Sequence, residues 1–546
     1  MSKFGKRFVS CLLAVMMMLS LSPLSAFASN DGTSSTVNGE QSTTVKTVST
    51  EDELNQAVTS AGSNETTIQL SADITLDATL TIPENAKITL DLNGYAVTVP
   101  EATDGRSIYA IDNYGTLTIC DTSVSGNGSI SARGTENFGT MTLNSGSIKS
   151  IDSNGGGAAV WNAGTFYMTG GKLEFTGQKS GNSAGAPLNI QSSGSAIITG
   201  GELISPYTCL FSSGNLILKN ISLTSETDYW MTLKLFSGST SYIENVTINT
   251  KKGGCLEVNG GQATLKDCTF TQTNLGNPSW NSTAVAVSSN GTVSIESGLY
   301  QGTTSAVYIY NSGGTANLNG GSYEGNDANS TVLKADTSTN EKTPSIINVN
   351  GGDYTVSYAI ASDNAQLSIT NGTFSSSPEN YVKNGYKAEN SNGTWTVSAE
   401  SPVAKIGDKQ YASLEDAINA ASSGDTITML QNAETTDVSI SGKSNLTIDG
   451  NGYSLRSVNF GGNNNSITIK NVIFTITNQG NVIAINGQNN NNITISGCSF
   501  TLTENASAWV AIYVQKLSDG LTIENNTFTL NRPDAKDFQC IGFAFT

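Results

Sequence analysis

The sequence contains no histidine, and it is poor in proline and in charged residues. Its 546 residues include 10 prolines, and Asp, Glu, Lys and Arg together make up 13%, about half of the usual share near 25%. Without histidine, the commonest general base and the commonest metal ligand are missing. This excludes Ser-His-Asp and Cys-His catalysis and the usual zinc sites. We therefore expect neither a resident metal nor a cofactor.

Basic residues are also few. The 27 Lys and Arg stand against 45 Asp and Glu, which gives a formal net charge of −18. A strongly acidic chain repels nucleic acid and anionic membrane surfaces. Beyond the first residues, no segment is apolar enough to cross a bilayer, since a spanning helix needs about 20 apolar residues. We expect neither nucleic acid as a partner nor membrane insertion of the mature chain.

The amino terminus has the pattern of an export signal. Lys3, Lys6 and Arg7 precede an apolar run over 11–21, and Ala26-Phe-Ala28 supplies small residues where a signal peptidase cuts. The apolar run is shorter than a membrane span needs, which favours cleavage after Ala28 over an anchor. The pattern predicts an extracellular protein, either secreted or associated with the cell surface.

Cysteine is scarce as well. Cys11 lies in the export signal, and six of the seven cysteines remain without it, an even number that permits disulfides in an exported protein. The six are widely scattered and show no metal-binding spacing. Cys268 and Cys498 occupy equivalent places in the repeat described next, where other copies carry small residues. We expect these two thiols to pack inside the fold as small side chains.

Glycine, serine, threonine and asparagine are abundant instead, and they recur in a repeat of about 25 residues. Each copy has a turn glycine, an alternating β-branched strand, an Asn/Gly turn and a strand with one large apolar residue. Examples are the segments 139–148, 164–173, 314–323 and 365–374. Another short strand, such as the one at 284–287, precedes many copies.

Three short strands per period cannot bury a core alone. Stacking each period on its neighbour as a parallel ladder buries one face of every strand. The sequence therefore predicts an all-β fold, a right-handed parallel β-helix with three strands per coil. Leucine-rich repeats need a leucine pattern that is absent, and β-propeller blades need antiparallel hairpins and a longer period.

Two series of residues recur at fixed places in the coils. Asparagine and glycine recur at the second turn because both accept left-handed backbone angles, and the asparagines are expected to hydrogen-bond along the stack: Asn144, Asn319, Asn350 and Asn371. Large aromatic residues also recur, and they are either a sugar-binding strip or, as we favour, an internal aromatic stack: Phe270, Tyr300, Tyr323, Tyr354 and Phe374.

Two segments, 49–58 and 411–420, have the apolar spacing and the early acidic residues of a short helix, and strands follow each of them. Each helix would cover the open end of a stack. The second stack has no recognisable closing segment, so we expect it either to continue in a longer chain or to meet a partner. The predicted organisation is a signal peptide over 1–28, a disordered leader over 29–46, a first β-helix over 47–397, a linker over 398–405 and a second β-helix over 406–546.

These opening segments resemble the pectin-lyase-like β-helix superfamily. The resemblance is carried by the helices Leu54-Asn-Gln-Ala-Val58 and Leu414-Glu-Asp-Ala-Ile418, then by Leu92-Asn-Gly-Tyr95 and Ile448-Asp-Gly-Asn-Gly-Tyr453. It covers nearly all of 47–546 and implies the fold, whereas activity varies across such a superfamily. The resemblance is to its non-catalytic secreted and surface members.

The catalytic patterns of the enzymatic members do not map onto this sequence. One pattern needs a Gly-His-Gly, and another needs an arginine among calcium-binding acids in a central coil, which none of the four arginines of the mature chain satisfies. Asp91 and Asp449 precede glycine-rich turns, so we expect them to accept turn hydrogen bonds rather than to act as acids.

Three functions remain open. The first is a non-catalytic adhesion, glycan-binding or scaffold module whose partner is an extracellular polysaccharide or a host or cell-wall glycan. The second is a polysaccharide lyase or glycoside hydrolase with carboxylates in a lateral groove, and the third is an inert spacer. For the first, the candidate ligand-binding residues lie in two polar insertions where indole faces stand beside hydrogen-bonding groups: Asp228, Tyr229, Trp230, Trp280 and Asn281.

Overall fold

A computed structural model describes residues 44–100, 108–151, 156–177, 185–225, 231–251, 253–273, 282–327, 330–336, 343–355, 358–360, 365–476, 481–503, 510–531 and 538–543. The predicted fold class is confirmed, because these residues form a parallel β-solenoid of about 17 turns with coils about 25 residues apart. Within the described ranges, the helices are α1 (Glu51–Thr59), α2 (Leu414–Ala420) and a 3-10 helix (Glu379–Tyr381).

Three long sheets are built from the chain up to Ala399, and a typical coil contributes one strand to each sheet. The 14-stranded sheet has the strands Thr44–Val48, Glu65–Leu70, Lys87–Asp91, Thr116–Cys120, Thr140–Leu143, Thr165–Met168, Ser195–Ile198, Asn215–Lys219, Thr240–Glu244, Gln262–Lys266, Gly291–Ile295, Gly314–Leu318, Ser345–Val349 and Ala365–Ile369. The 12-stranded sheet has the strands Leu80–Ile82, Ile111–Asn113, Thr135–Asn137, Ala158–Asn162, Ala186–Ile190, Leu210–Ser212, Met231–Phe236, Gly254–Asn259, Thr283–Ser288, Ser305–Ile309, Leu333–Ala335 and Tyr358–Ile360. The 15-stranded sheet has the strands Ile74–Thr75, Ala96–Thr98, Ser129–Ala132, Ser147–Ser150, Lys172–Phe175, Glu202–Ser205, Ser222–Ser225, Thr247–Thr250, Cys268–Gln272, Gly298–Gly302, Ser322–Gly325, Asp353–Thr355, Gly372–Phe374, Thr394–Ala399 and Tyr386–Ser391.

Three shorter sheets follow in the rest of the described chain. The 7-stranded sheet has the strands Lys409–Tyr411, Ala404–Ile406, Thr426–Met429, Ser444–Asp449, Asn465–Lys470, Asn491–Ser496 and Asp519–Glu524. The 5-stranded sheet has Ala433–Ser441, Leu455–Gly462, Asn481–Ile485, Val510–Val514 and Gln539–Phe543, and the 3-stranded sheet has Ile473–Ile476, Ser499–Leu502 and Thr527–Leu530. One apolar core runs from Val48 to Ala399 and another from Ala404 to Val514.

The strands pair in register with strands one coil away rather than with their neighbours in sequence. Thr140–Leu143 pairs in parallel with Thr116–Cys120 on one side and with Thr165–Met168 on the other. Alternate residues in each strand are buried, as the two-residue period requires. The ladder satisfies the backbone hydrogen bonds while the inward residues form a continuous core.

Each helix lies near the start of the core to which it contributes buried residues. In α1, the side chain of Thr50 accepts a hydrogen bond from the Glu53 backbone, and Glu53 accepts in return from the Ser49 backbone at 2.7 Å, so the first turn is capped from both directions. Leu54 is fully buried. The first strand begins at Thr44, earlier than the predicted start of the β-helix at 47.

An antiparallel hairpin closes the 15-stranded sheet. Its strands Tyr386–Ser391 and Thr394–Ala399 pair with each other, and the second also pairs with Gly372–Phe374. At the other end of the described chain, the last coil leaves apolar side chains in contact with solvent, since Leu530 is 51% and Phe543 is 56% exposed.

The internal aromatic stack is confirmed. All five predicted side chains are at most 2% exposed, and the rings of Tyr323 and Tyr354 are parallel within 2° with centroids 4.7 Å apart. The tyrosine hydroxyls donate to the backbone three residues earlier, as Tyr323 does to the Gly320 carbonyl at 2.7 Å. The stack therefore satisfies its polar atoms inside the core.

The prediction for the second-turn asparagines is half right. Asn350 Nδ2 donates to Asn319 Oδ1 at 3.0 Å, which is the expected bond along the stack. The left-handed backbone angles were wrongly assigned, because they belong to the glycines two residues later, Gly321 (φ 97°) and Gly352 (φ 98°). A residue without a Cβ adopts these angles with least strain.

The cysteines behave as packed side chains. Cys268 and Cys498 are buried, and Cys268 Sγ lies 3.4 Å from the Lys266 carbonyl. All six cysteines of the described chain are free thiols. Burial raises the pKa of the Cys268 thiol to about 11, so it stays protonated at neutral pH.

Candidate functional site

One position on successive strands of the 12-stranded sheet carries mostly charged and aromatic side chains, which are partly exposed over the first six strands and buried from Glu257 to Tyr308. Successive strands place these residues opposite one another in register: Asp112, Glu136, Trp161, Asn189, Phe211, Lys234, Glu257, Ala286, Tyr308 and Lys334. At about 4.8 Å per strand, the row is roughly 40 Å long. We call it the sheet-face row.

A repeated local sequence fixes the direction of the side chains at the start of this row. Asn113, Asn137 and Asn162 end successive strands and are fully buried. Asn137 accepts from Asn113 Nδ2 at 2.7 Å and donates to Asn162 Oδ1 at 2.6 Å. Since alternate residues face opposite sides of a strand, the residues just before these asparagines face outward. The buried amides thereby lock the register of the outer row.

A glycine lies two residues after each of these asparagines, and close packing of the turns explains it. A Cβ at Gly139 would lie 2.2 Å from the carbonyl oxygen of Gly115 in the coil before. The turns can stack this closely only without a side chain there. The residue between the asparagine and the glycine is pushed outward, and it is Tyr114 in one coil and Phe138 in the next.

Two carboxyl groups meet on adjacent strands of the row. Burial raises the pKa of Asp112, although its hydrogen bond with Glu136 acts in the opposite direction. Burial also raises the pKa of Glu136, the charge of Asp112 adds to the rise, and nearby Arg133 opposes it. Such a pair titrates as a unit and takes up a shared proton more readily than isolated carboxyls.

Exposed aromatic rings lie beside these acids. Tyr114 and Phe138 stack with their centroids 4.9 Å apart and their planes within 8°. They are 46% and 39% exposed, which is unusual for large apolar rings. The ring of Trp161 lies 5.7 Å from that of Phe138. Together with Asp112 and Glu136, these rings form the acidic–aromatic patch.

A second cluster lies further along the row. Glu257 is almost completely buried, and its carboxylate lies 2.9 Å from Lys234 Nζ. Tyr310 donates its hydroxyl to Glu257 Oε1 at 2.6 Å, and Asn259 Nδ2 donates to the same oxygen at 3.2 Å. Because Oε1 accepts two hydrogen bonds and Lys234 neutralises the charge at Oε2, this cluster is a buried polar network that stiffens the middle of the sheet.

The five predicted ligand-binding residues lie outside the described residues. Asp228, Tyr229 and Trp230 come directly before the strand Met231–Phe236, while Trp280 and Asn281 come shortly before Thr283–Ser288. Both strands belong to the 12-stranded sheet. Their ligand binding stays a prediction.

The structure supports the turn role that we assigned to Asp91 and Asp449. Asp91 accepts from the Thr122 hydroxyl at 2.6 Å and from the Asn93 backbone at 3.0 Å. Burial alone would raise the pKa of Asp91, but these hydrogen bonds outweigh it and hold the pKa below its ordinary value. Asp449 similarly accepts from the Asn451 backbone at 3.0 Å.

Sequence reasoning missed the acidic–aromatic patch. It noted that no arginine lies among closely spaced acids in a central coil, yet in an early coil Arg133 lies near Glu136, whose strand partner is Asp112. The sequence did contain a signal, a four-residue motif that recurs at 112–115, 136–139 and 161–164. In each copy an outward residue is followed by Asn, by a variable residue and by Gly. Only the register reveals that these segments are adjacent.

The described residues include no group of three or more Asp, Glu, Cys or His side chains that could hold a metal ion. None of the helices within the described ranges is both long enough and apolar enough to span a bilayer. No protein-family model and no curated protein matches the chain. The function must therefore be argued from the site itself.

Proposed function

We propose that the protein is a non-catalytic extracellular glycan-binding β-helix, and that it binds an extended polysaccharide at the acidic–aromatic patch, the accessible first part of the sheet-face row. The observation that carries the proposal is the exposed Tyr114–Phe138 ring pair beside the Asp112–Glu136 carboxyls. Export follows from the basic start and apolar run of the first 28 residues. Membership in the pectin-lyase-like superfamily is part of the same proposal.

The chemistry of the patch suits a sugar chain. Aromatic rings offer flat apolar surface to the C–H faces of pyranose rings at low entropic loss. Carboxyl groups accept strong hydrogen bonds from sugar hydroxyls. The strand spacing of about 4.8 Å is similar to the advance of one sugar ring in an extended chain, so the successive coils of the acidic–aromatic patch can meet successive sugars.

A binding role fits the two carboxyls better than glycoside hydrolysis. A glycosidase pair needs environments that push the two pKa values apart, so that one carboxyl acts as the acid and the other stays ionised. Here burial raises the pKa of both Asp112 and Glu136. The rigid ladder beneath them suits adhesion or scaffolding, in which the surface holds a glycan without changing it.

A glycan array and pull-down on insoluble polysaccharides test the proposal with the full chain. We expect Phe138→Ala and Trp161→Ala each to weaken binding about tenfold or more, as anchor aromatics do. Tyr167→Ala is the matched control, because Tyr167 is an outward aromatic on the 14-stranded sheet, and it should change nothing.

Two results would reject the sheet-face row as the binding surface. One is the absence of binding to every glycan. The other is binding that survives both row variants but disappears in Trp230→Ala or Trp280→Ala, which would assign the site to the two insertions.

A further inference from the structure

A polar cleft lies well away from the sheet-face row, on the 14-stranded sheet near its last strands. It has a volume of about 330 Å³. Four consecutive strands form its floor with outward side chains that are opposite one another in register: Ser294, Asn317, Asn348 and Ser368. Lys383 and two residues of α2, Asp416 and Asn419, form the opposite wall. The cleft thus combines a regular amide and hydroxyl ladder with a helix from the next part of the chain.

Hydrogen bonds fix the wall opposite the floor. Lys383 Nζ pairs with Asp416 Oδ1, and Tyr386 donates its hydroxyl to Asp416 Oδ2 at 2.8 Å. The Ala412 backbone donates to the same tyrosine oxygen at 3.0 Å. Because the 3-10 helix and the closing hairpin flank these residues, the opening does not depend on a long flexible loop. The cleft is formed before any ligand arrives.

The floor has hydrogen-bonding capacity that the fold leaves unused. Asn348 Nδ2 donates to Asn317 Oδ1 at 2.9 Å. Among the described residues, the amide NH₂ of Asn317 and the hydroxyls of Ser294 and Ser368 have no hydrogen-bond partner. The side-chain amide of Asn419 across the cleft has none in the described chain either. Donors and acceptors from both walls therefore face the same small space.

We infer that this cleft binds a neutral, hydroxyl-rich ligand of monosaccharide to disaccharide size. Every side chain that lines it carries a hydrogen-bonding group, and the single cation and single anion neutralise each other. A charged ligand would gain no unpaired counter-charge, and an apolar ligand would strip the amides of water without compensation. A polyhydroxylated ligand can both donate to and accept from paired amides. The volume is at the small end of the range for ligand pockets.

This inference does not rest on the proposed function, since it concerns another sheet and another class of contact. The sheet-face row offers aromatic stacking to a long chain, whereas the cleft offers only hydrogen bonds to a short or terminal sugar. Because no aromatic ring lines the cleft, we expect weak binding of the sugar, with a dissociation constant of about millimolar.

Saturation-transfer NMR on the full chain tests it, with glucose, galactose, N-acetylglucosamine and glycerol as neutral probes and sulfate as the charged comparison in a competition experiment. We expect at least one neutral sugar to bind. Asn348→Ala on the floor and Asn419→Ala on the helix should each weaken binding about tenfold, because each removes a donor and an acceptor. Asn249→Ala, at an exposed outward position of the 15-stranded sheet, should leave binding unchanged.

Three results would overturn the inference: no binding of any neutral probe, binding that both cleft variants leave intact, or displacement of the sugar by sulfate. If Trp161→Ala abolishes sugar binding while both cleft variants retain it, the sugar binds at the sheet-face row. In that case the proposed function stands and the cleft inference fails. The urea unfolding midpoint of each variant measures whether it still folds. In Asn419→Ala, the change also raises the helix propensity of α2.

Discussion

Tyr323→Ala is expected to lower the free energy of unfolding by about 4 kcal/mol, within the range of large aromatic-to-alanine changes in cores. Tyr323 is fully buried between Tyr300 and Tyr354, whose ring centroids lie 5.4 Å and 4.7 Å away. Removing its ring leaves a cavity inside a ladder whose coils cannot close the gap without losing register. Urea unfolding followed by circular dichroism measures the effect.

Two further variants separate the effect of losing the Tyr323 ring on stability from the effect of losing its hydroxyl and from the effect of removing any tyrosine. Tyr323→Phe keeps the stack and loses only the bond to the Gly320 carbonyl at 2.7 Å, so it should lower stability by about 1 kcal/mol. Tyr167→Ala removes an outward tyrosine of the 14-stranded sheet and should change stability by less than about 1 kcal/mol. Equal effects of Tyr323→Ala and Tyr167→Ala would contradict an internal stack.

Asn137→Leu is expected to lower the free energy of unfolding by about 3 kcal/mol although the two side chains have similar volumes. Asn137 is fully buried and donates both to Asn162 Oδ1 at 2.6 Å and to the Thr165 carbonyl at 3.0 Å. Leucine leaves these two acceptors without their donor, and each unsatisfied buried group costs about 1–3 kcal/mol. The same urea titration measures this loss.

Asn249→Leu is the matched control for this change. Asn249 is an exposed outward residue of the strand Thr247–Thr250, and its replacement should stay within about 0.5 kcal/mol. A neutral or stabilising Asn137→Leu would show that the buried asparagine ladder does not hold the coils in register, and the argument for the direction of Asp112 and Glu136 would then fail with it.

The fold was predictable because its rules are local and repeated. Two-residue alternation selects the inward face, and the turn residues mark where each short strand ends. The same rules correctly placed Tyr300 and Tyr323 inside the core. They failed for the backbone angles of Asn319 and Asn350, because in these two turns Gly321 and Gly352, which lack a Cβ, adopt the left-handed angles instead.

The acidic–aromatic patch and the cleft could not be predicted in this way. Turn lengths vary from coil to coil, so the pairing of Asp112 with Glu136 depends on a register that local patterns do not specify. The cleft requires α2 to lie beside strands far away in sequence, with Asp416 near Asn348. Contacts of this range follow from packing between elements rather than from the periodicity within them.

Disulfide trapping tests most directly the claim that successive coils stack in register. Lys172 and Glu202 are direct partners on neighbouring strands of the 15-stranded sheet, whereas Ser147 is the partner of Lys172 on the other side and so lies two coils from Glu202. Partners in adjacent coils are about 4.8 Å apart, within the Cα separation of about 4.4–6.8 Å that a disulfide requires. Mild oxidation should therefore cross-link Lys172→Cys with Glu202→Cys within one chain and leave Ser147→Cys with Glu202→Cys reduced. Cross-linking of the second pair, or none of the first, would contradict the stacked-coil architecture on which both proposed binding sites depend.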